Sequence, residues 1–128
     1  MQIRSICGII ITTENLDKMV HFYQDILGLP LEPEEHGDLE LHYGADLGAM
    51  HFAIHPLANF QEMQTGNAST KIAFEVDSLD AYLEALGEEG YSLEEKVINK
   101  GFGPTVSFQD PDGNWIELVE LRHEWDES

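Results

Sequence analysis

Trp115-Ile116-Glu117-Leu118-Val119 places a carboxylate in the middle of a run of large apolar side chains. Strand side chains alternate, so Trp115, Glu117 and Val119 share one face while Ile116 and Leu118 share the other. A glutamate on an interior strand needs a cation, a hydrogen-bond donor or water, because an isolated buried carboxylate is costly. Glu117 is therefore the first candidate for acid–base or metal chemistry. The competing reading is a half-exposed strand with the carboxylate in solvent. His51 and His55 form a second candidate set. In Ala49-Met50-His51-Phe52-Ala53-Ile54-His55 the two histidines and Ala53 face one way, opposite Met50, Phe52 and Ile54. Two imidazoles so spaced can ligate a divalent metal but need a third ligand; the same pattern is also the ordinary polar face of a strand. Cys7, in an apolar run, reads as core filling rather than as a nucleophile.

Glu117 is positioned by the turn before it. In Asp110-Pro111-Asp112-Gly113-Asn114, proline presets φ, the Asp and Asn side chains bond nearby backbone, and Gly113 can take a positive φ. This predicts a hairpin between strands at residues 105–109 and 115–121. The chain opens with a β-branched run over residues 3–12, read as a strand in which Gly8 marks a bulge or close approach. Glu14-Asn15 offers capping oxygens to an amphipathic helix over residues 16–27, closed by Gly28; His21 lies off its apolar stripe and reads as solvated. Strands are expected at residues 29–34, 39–43 and 49–55, with His36-Gly37-Asp38 and residues 44–48 as turns.

Residues 56–69 read as a polar linker, after which the pattern restarts. A strand over residues 71–76 leads through Asp77-Ser78 to a helix over residues 79–86 ended by Glu89-Gly90, and strands at residues 93–98, 105–109 and 115–121 follow. The chain thus predicts an α+β fold of two tandem βαβββ modules, about 1–57 and 70–121, with a short acidic tail. Each half alone has one helix and too little core, so the two are expected to make a single domain.

The charge balance bounds the partners. Among 128 residues, 6 Lys plus Arg stand against 25 Asp plus Glu, for a net charge of −19. Such a surface repels nucleic acid and anionic membranes, and neither is expected as a partner. One cysteine excludes an internal disulfide and suits a reducing compartment. No apolar run approaches the roughly 20 residues that span a bilayer, and the N-terminus lacks a signal-peptide pattern, so a cytoplasmic protein is expected.

Three stretches carry a family resemblance. His21-Phe22-Tyr23-Gln24-Asp25-Ile26-Leu27-Gly28-Leu29, Ile72-Ala73-Phe74-Glu75-Val76 and Asp110-Pro111-Asp112-Gly113-Asn114-Trp115-Ile116-Glu117-Leu118 resemble the vicinal oxygen chelate superfamily. That group holds the glyoxalases, extradiol dioxygenases, fosfomycin-resistance enzymes and bleomycin-resistance binding proteins. The resemblance covers almost the whole chain and speaks to fold more than to function. It implies that each module curls a mixed sheet of four strands into a cup, and that paired cups enclose a pocket, often at a dimer interface. It also implies metal ligands on the first strand of each module and the last strand of the second. Glu117 matches the last of these, whereas Gly8 and Lys71 stand where histidines are usual; a fourth position, used by glyoxalases, falls at His51 or Ala53.

On that mapping the usual divalent cofactor is not expected, and a metal would need a displaced set such as His51, His55 and Glu117. Three function classes follow. The first is a metal-free pocket for a small organic molecule at a homodimer interface. The second is a lyase, isomerase or dioxygenase-type enzyme, using the displaced metal or Lys71, His51 and Glu117 as an acid–base cluster. The third is a non-catalytic assembly subunit.

Overall fold

A computed structural model describes residues 1–66, 69–99 and 101–121. The backbone divides into two compact units, 1–66 and 67–128, each built on one four-stranded mixed sheet. In the first, β1 (Gly8–Thr13) leads to α1 (Leu16–Val20), a π-helical stretch (His21–Ile26), β2 (Glu32–Glu34), β3 (His42–Leu47) and β4 (Met50–Pro56). The spatial order is β1-β4-β3-β2, with β1 parallel to β4 and the other pairs antiparallel. In the second, β5 (Lys71–Glu75), α2 (Leu79–Glu88), β6 (Ile98–Asn99), β7 (Pro104–Gln109) and β8 (Trp115–Val119) repeat the plan in the order β5-β8-β7-β6. Each unit is therefore a βαβββ module whose sheet stays open.

Local chemistry explains the element starts and stops. Asn15 Oδ1 accepts from Lys18 N at 3.1 Å and caps α1, while Ser78 Oγ accepts from Ala81 N at 3.4 Å and caps α2. The first helix widens to π geometry at His21, where Phe22 and the adjacent Tyr23 are both fully buried, and it ends at Gly28 with φ +77°. Tyr23 packs on Phe52 of β4, with ring centroids 5.2 Å apart. Residues paired in register share a face, so Phe52, Ile54 and Ala45 build the buried side of the first sheet and leave the opposite side polar. In the second unit Ile116, Leu118, Val106 and Phe108 play the same part.

Several expectations are corrected. The first strand begins at Gly8, not at residue 3, because its neighbour β4 begins at Met50 and offers no backbone beyond the bond from His51 N to Cys7 O (2.9 Å). Cys7 is consequently exposed rather than core, and Gly8 opens a regular ladder instead of interrupting one. Residues 44–47 belong to β3, and the connection to β4 is only Gly48-Ala49, with Gly48 at φ +62°. Residues 93–98 form a 3-10 turn (Glu94–Lys96) and then the two-residue β6 rather than one strand. The expected acidic tail and Asn67 of the expected linker lie outside the described residues.

Candidate functional site

The polar side of the first sheet gathers histidines and carboxylates. Glu34 of β2 opposes His42 of β3, and Asp46 of β3 opposes His51 of β4. Between them Gly44 leaves a notch: a β-carbon there would collide with Glu34 Oε1 and lie 2.6 Å from His51 Nε2. Without that carbon, His51 reaches two carboxylates at once. Its Nδ1 is 2.8 Å from Asp46 Oδ1 and its Nε2 is 3.3 Å from Glu34 Oε1. The Asp46 hydrogen bond, with help from Glu34, raises the His51 pKa against the opposing effect of burial and favours the imidazolium.

Deeper on the same side, His42 (1% exposed) stacks on His55 with ring centroids 3.8 Å apart and planes 13° from parallel. Asn59 orders this pair. Its Oδ1 accepts from Glu40 N at 2.8 Å, so its amide nitrogen is the donor to Glu40 O at 3.1 Å and to His55 Nδ1 at 3.0 Å. Burial first, then the positive potential of His42, pushes His55 down to about 4, so it is neutral near pH 7. His42 Nδ1 lies 3.0 Å from Glu40 O, a carbonyl that can only accept, so Nδ1 is the donor there, and Nε2 is turned toward Glu34 Oε1 at 3.6 Å. Side-chain ligand atoms of Glu34, His36 and His42 lie within 4.8 Å of one another.

The polar side of the second sheet carries different chemistry. Lys71 opposes Trp115, and Ser107 opposes Glu117. Lys71 Nζ donates to Ser107 Oγ at 3.1 Å and stands 3.9 Å from Glu117 Oε2. The Glu117 side chain is 10% exposed and that of Lys71 41%, so the ammonium bridges a buried carboxylate to solvent. Ser69, Thr70, Lys71 and Trp115 line an open cleft of about 260 Å³. Glu117 is held at this spot by the turn before β8, where Asp110 Oδ1 accepts from Asp112 N and Asn114 N, both at 2.9 Å, and Asp110 Oδ2 accepts from Asn114 Nδ2 at 2.9 Å.

Of the residues singled out in the sequence, Lys71 and Glu117 meet in the second unit, while His51 and His55 take their partners within the first. Glu34, His36 and His42 were not singled out. The signal for them was the turn His36-Gly37-Asp38, which brings the flanking strands side by side and so sets Glu34 against His42. The donor set implied by the family resemblance does not fit a divalent ion. Gly8 offers no side chain, and the Lys71 ammonium beside Glu117 repels a second cation.

Comparison with known proteins agrees with the architecture. TnmS3, an antibiotic binding protein from Streptomyces sp. CB03234, superposes with a TM-score of 0.75 at 22% identity, covering 95% of this chain and 99% of that one. A glyoxalase/bleomycin resistance protein from the same source gives 0.72 at 23% identity, over 91% and 100%. Lactoylglutathione lyase from Agrobacterium tumefaciens gives 0.68 at 18%, over 93% and 95%. At these identities the likeness is one of fold. No curated protein sequence matches the chain. Residues 5–118 match the family described as Glyoxalase/Bleomycin resistance protein/Dioxygenase superfamily, and with nearly the whole chain covered by that match and both sheets in the βαβββ order, the protein belongs to this superfamily.

Proposed function

We propose that the protein binds a small organic molecule without the metal of the family's enzymes, and that it does so as a homodimer. The observation that carries this reading is the Lys71–Glu117 pair beside the Trp115 cleft: the cation at that carboxylate is part of the chain. The same groups suit recognition. An indole wall accepts a flat apolar body, an ammonium donates to an acceptor, and a carboxylate accepts from a donor, which is the mixture small-molecule sites use. TnmS3, described as an antibiotic binding protein, makes such a role familiar on this fold. Dimer formation is supported by exposed Ile10, Ile98 and Phe102, since apolar side chains left in water favour a second copy.

The test is a thermal-shift screen of planar aromatic compounds carrying hydrogen-bond acceptors. Hits should raise the melting temperature, and Lys71→Ala should shrink the shift. A screen in which Lys71→Ala responds as the parent does, or in which nothing binds, would overturn the assignment to this cleft.

A further inference from the structure

We infer that Glu34, His36 and His42 form a binding site for a divalent first-row metal such as Zn²⁺, on the polar side of the first sheet and built from residues other than those matched to the family's ligand positions. Two imidazole nitrogens and one carboxylate are a donor set that such ions take readily, with a further position left for water or a ligand. The spacing fits. Donors about 2.1 Å from one ion at a tetrahedral angle lie roughly 3.4 Å apart; His42 Nε2 and Glu34 Oε1 are 3.6 Å apart. The remaining separations, up to 4.8 Å, involve His36, an exposed residue on the loop after β2 whose ring can turn inward.

A second observation points the same way. A metal-binding histidine ordinarily donates its other ring N–H to a backbone carbonyl or carboxylate, which fixes the tautomer and aims the lone pair. His42 does this through Nδ1 and Glu40 O, and the His55 ring stacked at 3.8 Å holds its plane. The other ring nitrogen, Nε2, then faces Glu34 Oε1 at 3.6 Å. A metal ion between these two atoms would join a nearly fully buried imidazole to the carboxylate while recruiting His36.

Titration calorimetry of the full chain with Zn²⁺ tests the site. One ion per chain should bind, excess Mg²⁺ should not displace it, and Co²⁺ in its place should give a visible spectrum bleached by Zn²⁺. His36→Ala and Glu34→Gln should each weaken binding at least ~10-fold, because even outer partners of a metal ligand are worth that much. His36 is exposed, so that variant should keep the parent's melting temperature, a safeguard against the buried His42→Ala simply unfolding. His21→Ala, which removes a surface histidine paired with Asp25 on the first helix, should change nothing. Displacement by Mg²⁺ would mean that surface carboxylates had taken the ion and would overturn the inference. So would no uptake, unchanged affinity in His36→Ala, or loss of binding in Glu117→Gln.

Discussion

Lys71 and Glu117 sit at the boundary between a surface ion pair and a buried one. The carboxylate is largely withdrawn from water while the ammonium is not, so the pair should contribute about 1 kcal/mol rather than the several of a fully buried pair. Lys71→Ala is expected to cost about that much in urea unfolding, and Lys71→Ala with Glu117→Gln to cost less, because the second change removes the stranded charge. An equal or greater loss in the double variant would count against charge balance as the source of the effect. Tyr91 offers a pH-dependent counterpart. Burial, then the Asp110 and Glu89 charges, raise its phenol above the ordinary 10.0, so the folded chain keeps a proton that the unfolded chain gives up. Stability should be untouched by this group below pH 10 and fall as pH rises from there through the folded value. Alkaline unfolding of Tyr91→Phe should show a shallower fall. Single residues were legible in the sequence when their own strand set their surroundings: Glu117 stood out among apolar neighbours. Glu34 and His42 did not, since their meeting depends on which residues of two strands are placed opposite each other.

At the scale of elements, the turn before β8 can be tested by one glycine. Gly113 holds φ +88°, and an added β-carbon would meet only Gln109 Nε2 at 3.7 Å, so the cost of a side chain there is backbone strain and not crowding. Gly113→Val is expected to lower stability by about 1–3 kcal/mol. Gly87, inside α2 with no positive φ and no atom near the added carbon, should respond in the opposite sense when changed to Ala, gaining about 0.5 kcal/mol. Melting curves showing the same sign for both would undo this account. Turns and caps such as Asp110, Asn15 and Ser78 were readable because their bonds reach only a few residues along the chain. Strand limits were not. β1 starts where β4 gives it a partner, and the apolar text of residues 3–7 cannot supply one. Gly44 looked like a turn because a glycine inside a strand is usually disruptive, whereas here its missing side chain makes room for Glu34 and His51.

At the scale of the whole molecule, light scattering at micromolar concentration is expected to return twice the chain mass; a single-chain mass with or without ligand would count against the proposed dimer. The charge of −19 sets the conditions, because like-charged copies repel and salt should favour their association. Among the described residues no helix is long and apolar enough to cross a membrane. The matching strand orders of the two sheets set equivalent pairs side by side. Where the first copy sets Glu34 against His42, the second sets Ile98 against Thr105; where the second sets Lys71 against Trp115 and Ser107 against Glu117, the first has Gly8 against His51 and Gly44 against Ala53. The two sheets thus share one strand plan and differ at each of these paired positions. Each cluster is built from pairs within its own sheet, so substitutions that remove one should leave the other in place.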